Sequence, residues 1–154
     1  VLESVRAAVD GPPVEVGMMV EVPTAVLMAA EFAQEVDFFS VGTNDLTQYL
    51  LAMDRGHPTL AKQADALHPA VLRAIYQTVE AATKAGKWVG VCGGLAGDSL
   101  GAVILAGLGV KELSMDIPSI PKIKARLRST SMKQMKRLAK KALACRTAEE
   151  VRDL

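Results

Sequence analysis

Val89-Gly-Val-Cys-Gly-Gly-Leu-Ala-Gly-Asp-Ser-Leu-Gly-Ala-Val-Ile-Leu-Ala-Gly-Leu-Gly-Val110 contains a single charged residue, Asp98. A run of this length and polarity has two readings. It is long enough to span a bilayer, but Asp98 and the glycines before it form a turn signal in its middle. The second reading divides it into a strand ending at Cys92, a glycine loop, and a helix Ser99–Leu108 with Asp98 as its cap. That division predicts a soluble protein with alternating strands and helices and no membrane insertion.

The same alternation extends in both directions. Strands are expected at Val14–Val20, Asp37–Val41, Trp88–Cys92 and Glu112–Met115. A helix opened by Pro23, where a missing N–H costs nothing, runs through Phe32 and Ala33. A second starts at Asn44-Asp45, both good caps, and carries Leu46, Tyr49, Leu50 and Met53. After a polar loop, Arg55 to Leu67, a longer helix begins at Pro69 and stops at Gly86. The fourth strand leads to a helix Pro121–Arg128 and two terminal helices, with Thr147-Ala-Glu-Glu150 expected as a capping box.

Strands alternating with helices predict parallel pairing through helical crossovers. Four such units make half of an eight-unit (β/α)8 barrel, with strands buried on both faces. The 154 residues suffice for one domain, and half of them are apolar. The expected domain is 1–154, with C-terminal helices after the half-barrel. Because the chain opens on Val1, a piece of a longer protein is expected. Two cysteines, Cys92 and Cys145, form neither a disulfide framework nor a zinc spacing, which suggests a reducing cytoplasm. Ten Lys or Arg and no acid lie between Ile117 and Ala148. Met132, Met135, Leu138, Ala139, Ala142 and Leu143 fall on one helical face there, which leaves the lysines on a solvated one; no nucleic-acid partner is expected.

In a barrel of this kind the chemical groups lie where strands end. Glu21 follows the first strand, Asn44-Asp45 the second, and Cys92 ends the third, so all are expected at one mouth. Glu21 and Asp45 are placed to share a hard divalent cation; each alone would serve equally as a helix N-terminal acid. Asn44 offers an amide and Thr43 a hydroxyl beside them. Arg55 can reach a phosphate or carboxylate, or simply complement a helix C-terminus. His57 and His68 are read as structural. Cys92 can be a nucleophile, or, with a thiol's ordinary value of about 8.5, a proton donor at neutral pH. The lack of a neighbouring histidine base favours the donor. Gly93-Gly94 would let the backbone turn and a substrate approach the sulfur. Cys145, on an amphipathic helix, is read as packing.

Four segments, Gly17-Met-Met-Val-Glu-Val-Pro-Thr24, Asp37-Phe-Phe-Ser-Val-Gly-Thr-Asn-Asp-Leu46, Ala52-Met-Asp-Arg55 and Val91-Cys-Gly-Gly-Leu-Ala-Gly-Asp98, together resemble the phosphoenolpyruvate-binding domain of enzyme I of the bacterial sugar phosphotransferase system. The resemblance covers essentially the whole chain, as the second half of that barrel. Pyruvate phosphate dikinase and phosphoenolpyruvate synthase share the barrel and are the near alternatives. The resemblance implies a magnesium-dependent transfer of phosphate from phosphoenolpyruvate to a histidine on a separate domain, with release of pyruvate. By that analogy Glu21 and Asp45 hold Mg2+, Asn44 and Arg55 bind phosphate, and Cys92 protonates the methylene carbon of the enolate.

It also implies a homodimer, and a phosphocarrier protein reached through an N-terminal region that this chain does not include. Gly94 stands where stand-alone enzyme I commonly has glutamate, which resembles the fused multiphosphoryl relatives. The family's other phosphate-binding arginines come from earlier strands, so the chain alone is expected to be inactive. A different class of function, a non-catalytic half-barrel that serves dimerisation, follows from the same open strand edges.

Overall fold

The structure is a computed structural model that describes residues 4, 7–8, 11–12 and 14–154. Four strands, β1 (Gly17–Val20), β2 (Phe38–Gly42), β3 (Trp88–Cys92) and β4 (Glu112–Ser114), form one sheet in the order β1-β2-β3-β4, with every pairing parallel. The order contains no reversal. A doubly wound sheet would switch direction partway along, whereas a barrel adds each new strand beside the last. The four strands are therefore an arc of the expected (β/α)8 barrel, and the arc is not closed: β1 and β4 are its edges.

Helices α1 (Pro23–Leu27) and α2 (Ala29–Phe32) follow β1, and α3 (Thr43–Leu51) follows β2. A 3-10 turn (Leu60–Lys62) and α4 (Pro69–Lys84) lead to β3; α5 (Gly94–Gly97) and α6 (Ser99–Leu108) lead to β4. The chain ends in α7 (Ser119–Arg128), α8 (Met132–Ala144) and α9 (Ala148–Arg152). Residues of alternate parity on the strands, Val20, Phe39, Val41, Val89 and Val91, are buried with Leu72 and Ile75 of α4 and Ile104 and Leu105 of α6. Full burial of each such side chain stabilises the fold by roughly 1.5–3 kcal/mol.

The length of the apolar run that opens at Val89 now has a cause. It codes for β3, buried in the middle of the sheet, and for α6, whose Ala102, Val103, Ile104 and Leu105 are all fully buried. A helix covered all round needs apolar residues all round. Ile104 and Leu105 of α6 join the core of the strands, and α8, with Met135, Ala139 and Ala142 buried, packs on α6 most extensively. Among the described residues no helix is long and apolar enough to cross a membrane.

Several details differ from the expectation. The strands are covered on one face only. Met19, Glu112 and Ser114 are exposed on the opposite face, and Phe38, Ser40 and Trp88 are half-buried there. Val14–Val16 lie outside β1, because ladder pairing starts at Gly17 opposite Phe38. The first helix is interrupted at Met28, whose N–H donates to the Thr24 carbonyl, while the Val26 carbonyl accepts the Gln77 side-chain amide of α4. The anticipated capping box at α9 is half made: Thr147 accepts the Glu150 N–H, but the Glu150 carboxylate turns to the N–H of Arg146. A complete box stands instead at α8, between Ser131 and Gln134.

Candidate functional site

Gly93 explains why a glycine pair follows Cys92. Its φ is +106°, and a Cβ there would lie 2.6 Å from Thr43 Oγ1 and 3.1 Å from Asn44 Oδ1. Glycine alone admits both the conformation and the approach. The two side chains occupy that space because they bind the neighbouring backbone. The Thr43 hydroxyl donates to the Cys92 carbonyl at 2.9 Å, and Asn44 Oδ1 accepts the Gly94 N–H at 3.1 Å. Two strand ends, β2 and β3, are thus sewn together at the mouth by consecutive residues of α3's first turn.

The carboxylates come in from the other side of β2. Glu21, just past β1, lies over Gly42, with Oε2 3.0 Å from the point a Cβ at Gly42 would occupy. Gly42 pairs in register with Cys92, so Glu21 borders the same corner of the mouth. Asp45 sits in the first turn of α3 and faces Arg55, which returns from beyond the end of that helix to an N–O distance of 3.3 Å. The turn that brings Arg55 back starts at Ala52, in the left-handed conformation, and is held by the Arg55 N–H on Gln48 Oε1 at 3.1 Å. The acid and the arginine expected to hold opposite charges of one ligand neutralise each other in the protein by itself.

Cys92 is half-buried on the open face. Its sulfur lies 3.5 Å from the Val41 carbonyl, 3.8 Å from Met19 Sδ and 3.8 Å from Ser40 Oγ. None of these partners is a base or a cation. A nucleophilic thiolate needs one or the other beside it. Cys145 behaves differently: it ends α8, contacts the Lys141 carbonyl at 3.4 Å and packs against the core. Both histidines turn Nδ1 to backbone N–H groups of their own loops, His57 to Thr59 and Leu60 and His68 to Ala70 at the start of α4.

Cavities flank this constellation. One of about 360 Å³ lies between the β3 and β4 ends against Gly93, Gly94, Ser114 and Asp116. A second of about 430 Å³ has Asn44, Gly94, Asp98 and Arg152 in its wall, and a third of about 190 Å³ joins Asn44 to Arg55. Arg152 reaches the mouth from the last helix through a bidentate pair with Asp65, at 2.7 and 2.9 Å. Burial pushes the Asp65 carboxyl up, but the Arg152 guanidinium, the Leu67 N–H and the charge of His68 outweigh it and hold the group below its ordinary range.

Among the described residues no group of three or more His, Cys, Asp or Glu is arranged to hold a metal ion. Two carboxylates from neighbouring strand ends are nevertheless a donor set suited to magnesium, which keeps several positions for water and phosphate oxygens. Glu21 and Asp45 fit that description, with Glu21 lodged where Gly42 leaves room.

Of the residues expected from the sequence, Asn44, Asp45 and Arg55 are linked to one another through α3 and its return loop, and Glu21 and Cys92 each adjoin Gly42. Ser40 was not anticipated. A lone polar residue in an apolar strand was the available signal, but its meaning depends on the register that puts it beside Cys92. Asp65 and Arg152 had no local signal at all, being far apart in the chain.

Residues 2–132 match the family model described as PEP-utilising enzyme, PEP-binding domain. The chain is 62% identical to the multiphosphoryl transfer protein of Rhodobacter capsulatus over 154 residues, which is all of this chain and 19% of that protein. It is 47% identical to the phosphoenolpyruvate-protein phosphotransferase of Geobacillus stearothermophilus over 145 residues, 94% of this chain and 25% of that protein. The corresponding protein of Buchnera aphidicola subsp. Baizongia pistaciae is 47% identical over 138 residues, 90% of this chain and 24% of its own length. The chain therefore spans about a fifth to a quarter of the relatives it matches.

Proposed function

Because the chain belongs to the PEP-utilising enzymes as their PEP-binding domain, we propose that it forms the second half of a phosphoenolpyruvate site in a larger phosphoenolpyruvate-protein phosphotransferase. The observation that carries this reading is the joining of β1, β2 and β3 at one mouth: Glu21 over Gly42, Thr43 on the Cys92 carbonyl, and Asn44 on Gly94. Those are the positions where a phosphorylated enol needs acidic, amide and proton-donating groups.

Each residue has a distinct task. Asn44 and Arg55 bind the phosphate, Arg55 exchanging its pairing with Asp45 for a phosphate oxygen, where a guanidinium binds in a bidentate manner. Glu21 and Asp45 hold magnesium. When bound, the ion supplies positive charge to the phosphate and to the oxygen on which charge develops. As the phosphoryl group leaves for a histidine, the enol carbon gains electron density, and the Cys92 thiol gives it a proton from the open face of the sheet, yielding pyruvate. The Gly93-Gly94 turn permits the carbon to come close to the sulfur.

The phosphoryl acceptor is a histidine on another domain of the longer protein. The remaining strands of the barrel pair with the edges β1 and β4 and enclose the open face of the sheet, and this chain alone does not transfer phosphate. The same reading makes the protein a cytoplasmic homodimer that passes phosphate onward through a phosphocarrier domain.

The test uses the full-length protein. Cys92→Ala should leave phosphate transfer from the already phosphorylated histidine to its carrier unchanged while lowering the rate from phosphoenolpyruvate by about 10²-fold or more, as loss of a general acid does. Equal loss in both half-reactions would overturn the proton-donor role.

A further inference from the structure

The proton donor proposed above leaves a thiolate behind, and the structure bears on how that charge is received. Cys92 lies on the open face of β3, opposite Gly42 in register, and Ser40 is two residues earlier on β2, on the same face. Gly42 has no side chain to intervene, so the Ser40 hydroxyl points along the sheet to the sulfur, 3.8 Å away. The other contacts of the sulfur, the Val41 carbonyl and the Met19 thioether, are acceptors. Among the described residues, Ser40 is the one side chain that donates a hydrogen bond to Cys92.

The charged groups nearby make that donor matter more. Glu21 lies over Gly42, and Glu112 of β4 extends over Gly90, two residues before Cys92. Both are acidic and oppose a negative sulfur. The cations of the mouth are engaged elsewhere, Arg55 with Asp45 and Arg152 with Asp65. No cation is in contact with Cys92 among the described residues.

We infer that Ser40 is a positioning residue whose hydroxyl hydrogen-bonds the Cys92 sulfur and stabilises the thiolate left after protonation of the substrate carbon. The inference rests on the donor role proposed for Cys92. In the step itself the S–H bond breaks and its electron pair stays on sulfur. The enolate's carbon–carbon double bond supplies the pair for the new C–H bond, and the enolate oxygen becomes a carbonyl. Ser40 keeps its proton throughout; its hydrogen bond shortens as sulfur becomes charged. Water afterwards returns a proton to the thiolate.

The test reads the contact without any substrate. In a Cys145→Ser background, alkylation of Cys92 by iodoacetamide is followed as a function of pH, because only the thiolate reacts. Ser40→Ala should move the midpoint of the profile upward by about one pH unit, the size expected for one hydrogen bond to a charged group. Ser40→Thr keeps the hydroxyl and should keep the midpoint; Ser40→Val has the shape of threonine without it and should shift as alanine does. Identical midpoints for Thr and Val would overturn the inference even if the alanine variant failed to fold. Failure of the Cys92→Ala half-reaction test would remove the catalytic role but leave this hydrogen bond measurable, so the two results are separable.

Discussion

The two faces of the sheet share one backbone, that of β1 to β4, and serve opposite ends. On one, Val20, Phe39, Val41, Val89 and Val91 are covered by α4 and α6 and are at most 2% exposed. On the other, Met19, Ser40, Trp88, Cys92 and Glu112 remain open or half-open. Alternation along each strand sends neighbours to opposite faces, so stability and chemistry are separated by one residue step. The covered face is apolar because nothing there must react. The open face mixes sulfur, hydroxyl, carboxylate and a stacked aromatic pair, Phe38 and Trp88 at 4.4 Å between centroids. That composition fits a surface still to be closed by other strands around a site.

Breaking the covered face should have the largest effect. Phe39→Ala, at a fully buried position, should cost about 3–5 kcal/mol in chemical denaturation; a cost under about 1 kcal/mol would mean that this face is not the core. At the seam between the faces, Gly93→Ala meets both a positive φ and the Thr43 hydroxyl, and should cost about 1–3 kcal/mol in the same measurement. On the open face, Trp88→Ala should cost only about 1 kcal/mol and abolish the near-UV signal of the stacked pair. A loss as large as that of Phe39→Ala would show that the open face is also core within this chain.

The smallest effect lies off both faces, at the Arg152–Asp65 pair. Asp65 titrates below its ordinary value in the fold, so its contribution is complete above that ordinary value and disappears as pH falls through the lowered one. Arg152→Met removes the partner and leaves burial, which pushes the carboxyl up, opposed only by the Leu67 N–H and the His68 charge. Acid unfolding should therefore begin at higher pH, with a loss at neutral pH of roughly 1 kcal/mol or less, since Arg152 is half exposed. An unchanged acid limb would show that the last helix does not brace the mouth.

The parts of this arrangement that were legible in the sequence are those with local causes. Trp88–Cys92 was readable to the residue because an apolar run stops at glycines, and Pro23, Pro69 and Asp98 mark helix starts through their own backbone chemistry. Glu21, Asn44, Asp45 and Cys92 were legible as strand-end residues, a matter of position alone. What was hidden depends on pairing. The break at Met28 involves a Gln77 amide from another helix. The extra turn at Gly94–Gly97, read as loop, begins where Asn44 receives the Gly94 N–H. Ser40 acquires its partner only once β2 and β3 are in register. One-sided burial of the strands was hidden for another reason: the pattern fits a complete barrel, while this chain forms four strands of one.

The most direct test of the account is calorimetric titration of this chain with phosphoenolpyruvate, with and without magnesium, repeated on Asp45→Ala. The account predicts binding that requires the ion and is lost in Asp45→Ala, while the variant keeps the circular dichroism and melting behaviour of the parent. Binding that persists without magnesium or without Asp45, or no binding by the folded chain, would contradict the claim that these strand ends form the ligand-holding half of the site.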